Sequence, residues 1–87
     1  MKYRILWLPD AEENLAKILD DEGRLKFLLG DTVRMISQKL MWKPHAFGES
    51  REAGYFVGFV QPLAISYQIH DDVRTVVVIG IWRTDRR

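Results

Sequence analysis

Residues 62–69 read PLAISYQI, and the turn residues HDD at 70–72 separate them from a second run, VRTVVVIGIWR, at 73–83. In the first run Leu63, Ile65, Tyr67 and Ile69 alternate with Ala64, Ser66 and Gln68. That period of two is the signature of a half-buried strand, because successive side chains on a strand point to opposite sides. One side is fit for a core and the other is small and uncharged. The second run offers two registers, Val76, Val78, Gly80 and Trp82 or Val77, Ile79, Ile81 and Arg83. Either choice leaves valines or isoleucines on the outer face, and an apolar strip of that kind suits a binding surface.

The same period extends upstream over 51–60, so the second half of the chain predicts three strands at 51–60, 63–70 and 74–83. Gln61-Pro62 and Asp71-Asp72 join them, short enough for hairpins and hence for antiparallel neighbours. Before residue 51 the period is that of a helix. Leu25, Leu29, Val33, Ile36 and Leu40 recur at three and four residues over 24–42 and stack into one apolar stripe. Gly30 interrupts the stripe and could break it, and Pro44 ends it, because proline disfavours helical geometry in the residue before it. HAFGES, at 45–50, then reads as a loop. An earlier helix runs through Leu15, Ile18 and Leu19 to a stop near Gly23. Its start resembles a capping box formed by Asp10 and Glu13, with Pro9 closing the strand in front.

That first strand, residues 2–8, sets Tyr3, Ile5 and Trp7 on one face and Arg4, Leu6 and Leu8 on the other, which suggests an interior position. The order β-α-α-β-β-β defines an α+β domain, with two N-terminal helices packed on one face of an antiparallel-rich twisted sheet. At 87 residues the chain accommodates one domain, spanning 1–87, around a single core.

Thirteen Lys and Arg against twelve Asp and Glu leave a formal net charge of +1, too little to hold a polyphosphate by charge alone. The charge is polarised, with Asp10, Glu12, Glu13, Asp20, Asp21 and Glu22 early and Arg74, Arg83, Arg86 and Arg87 late. With no cysteine, neither disulfides nor thiolate chemistry are expected, in keeping with a cytoplasmic protein. No apolar run reaches the roughly 20 residues of a membrane span, and the N-terminal stretch reads as a strand rather than a signal peptide. Two histidines in separate contexts make no zinc site, so neither metal nor cofactor is expected.

The β-α-α-β-β-β order, the opening LPDAEENL, the loop P..FGESR, and PLAISYQI followed by VRTVVVIGIWR together resemble the RelE/ParE superfamily of bacterial toxins. These belong to type II toxin–antitoxin modules, plasmid-stabilisation systems among them. The resemblance spans essentially the whole chain. It implies a toxin that either cleaves messenger RNA on the ribosome or inhibits DNA gyrase, with a cognate antitoxin whose extended or helical tail wraps around it. A non-toxic homologue acting as a homodimer or antitoxin-binding module shares the same pattern.

Metal-free RNA cleavage needs a base for the 2′-hydroxyl, a cation for the phosphorane charge and an acid for the leaving oxygen. Carried over strand by strand, the family positions for such groups fall on Tyr55, Val57, Ala64 and Thr84. Where the ribonucleases are expected to carry an arginine in the third strand, this chain has Ala64, and neither valine nor alanine moves a proton or steadies an anion. The remaining catalytic candidates are Arg51, Tyr55, Arg83 and Arg86, and the binding candidates are Ser66, Gln68, Trp82 and Arg87. Each has a plainer reading. Arg51 can pair with Glu49 to brace a loop, Trp82 can pack on the sheet, and Arg86 and Arg87 can belong to a frayed terminus. Tyr67 reads as a core tyrosine with its hydroxyl at the rim, His70 as a hairpin residue, and His45 as a loop residue with no visible partner. Met35, Met41 and Trp42 belong to the helix–sheet core or to a partner groove. The balance of these residues favours a toxin that acts by binding, in the ParE manner, over a RelE-type endoribonuclease.

Overall fold

The fold is a five-stranded mixed sheet with its helices on one face, seen in a computed structural model that describes residues 2–21 and 26–84. In chain order the elements are β1 (Arg4–Trp7), α1 (Pro9–Asp21), α2 (Lys26–Trp42), α3 (Pro44–Phe47), β2 (Glu49–Ser50), β3 (Tyr55–Val60), β4 (Leu63–His70) and β5 (Thr75–Arg83). The sheet order is β1-β5-β4-β3-β2. β1 runs parallel to β5, and every other pair is antiparallel. This is the α+β architecture expected from the periodicities, with α3 and β2 added where a loop was expected.

The core fills the space between β4, β5 and the helices. Leu63, Ile65, Tyr67, Val76, Val78 and Ile81 from the sheet meet Ala11 of α1 and Leu29, Ile36 and Leu40 of α2, all nearly or fully buried. Leu15, Ile18, Leu19 and Val33 pack against that cluster, so both helical stripes face the sheet as their spacing requires. Leu25 and Gly23 lie outside the described residues.

Several boundaries differ from the sequence expectation. β1 is an edge strand and not an interior one: only β5 borders it, and Leu6 on its outer side is about half exposed. Pro9 opens α1 instead of closing the strand, since its missing N–H is one that a helix start leaves unbonded anyway. Leu8 supplies the carbonyl that accepts the Glu12 amide at 3.0 Å. Asp10 is therefore in the first turn and not the capping position, where with Glu12 it still complements the positive end of the helix dipole. α2 runs unbroken through Gly30, whose surroundings are open. Residues 52–54 form a 3-10 turn ahead of β3, and the β4–β5 joint is a 3-10 turn, Asp71–Val73, closed by Arg74 in the left-handed region at φ 49°.

β5 follows neither uniform register. Ser66 pairs with Gly80 but Tyr67 pairs with Val78, so Ile79 is an extra residue in a β-bulge. The bulge lets Val76, Val78 and Ile81 all reach the core, which strict alternation forbids. Beyond it Trp82 turns outward and Arg83 takes the helix-side register opposite Leu63.

Candidate functional surface

The side of the sheet away from the helices is built by the outward residues of all five strands, and the register places them in rows. One row crosses Leu6, Val77, Gln68 and Tyr55; the next crosses Gly80, Ser66, Val57 and Glu49; a third crosses Trp82, Ala64 and Phe59. Arg4, Thr75 and His70 form a further row toward the β4–β5 turn. Phe59 is 48% exposed, Trp82 41% and Tyr55 38%, and Ala64 between the first two is fully covered. The surface is thus aromatic at its edges and small and neutral along its middle.

Arg51, Glu52, Tyr55, Val57, Ser66 and Ile79 line an open depression at one side of this face. Arg51 approaches Glu49 at 3.5 Å in an exposed pair, the bracing role that its spacing allowed. Its amide also donates to the Tyr55 carbonyl at 2.6 Å, which fixes the loop to the start of β3. The structure therefore brings Tyr55, Ser66, Gln68 and Trp82 onto one face, with Arg51 at the rim. Arg83 does not join them: it is half-buried on the helix-side register, with one guanidinium nitrogen buried. Arg86 and Arg87 lie outside the described residues. Thr84 is tied to the β3–β4 joint, its hydroxyl donating to the Gln61 side-chain oxygen at 2.7 Å and its amide to the Pro62 carbonyl at 2.8 Å.

Tyr67 is fully buried on the opposite side, where its hydroxyl donates to the Pro44 carbonyl at 2.7 Å. Burial pushes its pKa up to about 12, with the nearby Gly48 amide working against the rise. The phenol is therefore neutral and structural, a strut between β4 and the start of α3. Its ring lies nearly parallel to those of Phe47 and Phe56 at 6.0 and 5.5 Å.

A second polar cluster escaped the sequence reading. His45, expected to have no partner, approaches both Asp71 oxygens at 3.0 Å, and the Tyr3 hydroxyl donates to the same carboxylate at 2.5 Å. Arg74 stacks over the Tyr3 ring at 5.6 Å, and Phe56 meets the His45 ring edge-on. The His45 and then the Tyr3 hydrogen bond hold the Asp71 carboxyl below its ordinary range, and the bond to Asp71 raises the Tyr3 phenol. The cluster ties β1, α3 and the β4–β5 turn together. Residues 3, 45 and 71 share no spacing that could have announced it. Phe59, by contrast, was legible from its alternation with Tyr55 and Val57.

Among the described residues no group of three or more acidic, histidine or cysteine side chains could hold a metal ion. No helix among them is long and apolar enough to cross a membrane.

This arrangement of an open-faced sheet with β1 beside β5 and helices behind is the fold of the RelE/ParE toxins. Among solved structures, the RelBE2 toxin–antitoxin complex from Mycobacterium tuberculosis aligns over 95% of this chain and 99% of that one, with a TM-score of 0.79 at 24% identity. The archaeal RelE–RelB complex from Pyrococcus horikoshii aligns over the whole of both chains with a TM-score of 0.68 at 8% identity. An arginine-to-alanine double variant of toxin RelE from E. coli in the free state covers 98% of this chain and 86% of its own, with a TM-score of 0.70 at 13% identity. No protein-family model and no curated relative matches the chain.

Proposed function

We propose that this protein is the toxin of a type II toxin–antitoxin module and that it acts by binding its target rather than by cutting RNA. The observation that carries the reading is the composition of the open face. Val57, Ala64, Ser66 and Gly80 occupy its middle, and none of these can serve as a base, a cation or an acid for phosphodiester cleavage. What the face does offer is contact area, with Phe59, Trp82 and Tyr55 exposed around a small-residue floor. Aromatic anchors around such a floor suit a protein partner, because they bury much surface for little lost side-chain freedom.

A cognate antitoxin is the first such partner, in line with the two RelE–RelB-type complexes among the similar structures. DNA gyrase is the target class that fits a toxin without catalytic groups, and the site of action is then the bacterial cytoplasm. A RelE-type ribonuclease remains the second reading, on the strength of Tyr55 and Arg51 beside one depression.

Induced expression in a bacterial host separates the two. Growth arrest with DNA-damage signalling and lost supercoiling supports the binding toxin. Arrest with messenger RNA cut at the ribosomal A site, abolished by Tyr55→Phe or Arg51→Ala, overturns it in favour of the ribonuclease. No arrest from the wild-type chain at any expression level removes the toxin reading and leaves the fold.

A further inference from the structure

Where α2 gives way to α3 the chain turns a corner, and a recess of about 280 Å³ opens there, lined by Gln38, Lys39, Trp42, Lys43, Ala46 and Phe47. It shares no residue with the depression on the open sheet face. The corner is fixed before any ligand arrives. The Lys43 amide donates to the Lys39 carbonyl at 2.9 Å, and the Lys43 carbonyl accepts the Ala46 and Phe47 amides at 3.2 and 3.0 Å. These carbonyls at the negative end of α2 are therefore already occupied and do not face the recess bare. The Phe47 ring lies nearly parallel to that of Tyr67 at 6.0 Å, and Gly58 makes room for it, since a Cβ there would come within 2.5 Å of the ring. α3 is also held by the bonds from Tyr67 to Pro44 and between His45 and Asp71.

The lining combines two cations, two aromatic rings and one amide, and none of its six residues is acidic. The Lys39 nitrogen stands 5.9 Å from the centre of the Phe47 ring, and both lysines are exposed. Trp42 is 52% exposed, an indole that the core does not use. Aromatic rings take up a flat base by stacking, and an amide carrying both a donor and an acceptor can pair with the edge of that base. A phosphate monoester bears about two negative charges at neutral pH, which two lysines match. A nucleic-acid strand needs a longer track of cations, and a chain of net charge +1 with two lysines at the recess does not lay one out.

We propose that the α2–α3 corner binds a single nucleoside monophosphate, with its base against Trp42 and Phe47, its base edge paired to Gln38 and its phosphate held by Lys39 and Lys43. The site leaves the open sheet face uncovered, so the inference stands whether or not the chain is a toxin.

The probe is adenosine monophosphate, titrated into the intact 87-residue chain and followed by calorimetry and by amide NMR. A ligand of that size in an open recess should bind with a dissociation constant on the order of 10–100 μM, with shifts centred on residues 38–47. Adenosine, which lacks the phosphate, should bind at least about tenfold more weakly, and Lys43→Glu should weaken the nucleotide by a similar factor. Trp42→Ala should also weaken it about tenfold. Because both side chains are exposed, thermal unfolding of the two variants should be little changed, which distinguishes a lost site from a lost fold. Absence of saturable binding below about 1 mM overturns the proposal. So does binding indifferent to both variants, or shifts centred on Tyr55 and Ser66. An adenine oligonucleotide that binds residues 38–47 more tightly than the monophosphate assigns the recess to a nucleic-acid strand, and a glutamate-rich peptide that does so assigns it to an acidic protein; either result overturns the proposal too.

Discussion

β4 presents two unlike faces, and the contrast between them separates what the fold requires from what it leaves free. On the helix side Leu63, Ile65 and Tyr67 are fully buried in the cluster that both helical stripes join, so their size and polarity are dictated by close packing. On the other side Ser66 and Gln68 are only half-covered, and packing would accept a charged side chain at either position. At Ser66 and Gln68, though not at the fully covered Ala64, the neutrality of the open face is therefore not demanded by stability. It bears on what the surface contacts.

That contrast can be broken from the inside first. Ile65→Ala should destabilise the protein by about 2–5 kcal/mol, measured by urea unfolding, because it opens a cavity at the centre of the sheet. A smaller loss would mean that the helices settle onto the space left behind. Tyr67→Phe should cost about 1–2 kcal/mol by leaving the buried Pro44 carbonyl without its donor.

The same phenol predicts a pH dependence. Its folded pKa of about 12 lies above the ordinary value of 10.0, so its contribution is fully present below pH 10 and is lost as pH rises through 12. Wild-type stability should fall across that window more steeply than that of Tyr67→Phe. Asp71 gives the opposite limb. Its carboxyl is held below 3.8, so its contribution is present above that pH and is lost as pH falls through the folded value. Asp71→Asn should flatten the acid limb of the stability profile. Outside, Ser66→Arg should change stability by no more than about 0.5 kcal/mol. On the binding-toxin proposal its effect should appear instead as weakened capture of gyrase in a pull-down.

Strand and helix placement was legible because one side of each element is buried, and burial writes a period into the sequence. The Leu29, Ile36 and Leu40 stripe and the alternation in β4 both carried through to the core. The position of β1 was not legible, since apolar residues on both its faces read as burial, although Leu6 is exposed. The start of α1 was misplaced by two residues, at Asp10 instead of Leu8, because proline fits both the end of a strand and the start of a helix. For the candidate surface, Tyr55, Ser66 and Gln68 fell on the open face by alternation alone. Trp82 and Arg83 could not be assigned by that rule, because the bulge reverses the parity of β5 between Val78 and Ile81. The His45–Asp71 pair joins residues that only the folded chain brings together.

The bulge also has a consequence for how the chain can vary in length. Ile79 is the one residue of β5 with no partner on β4, so deleting it would close the ladder while leaving Ile81 inward and Trp82 outward. Deleting Gly80 instead moves Ile79 opposite Ser66, which closes the ladder but sets a branched side chain where the structure has none. Single-residue gaps that preserve the fold should therefore collect at position 79, an expansion joint in an otherwise fixed strand.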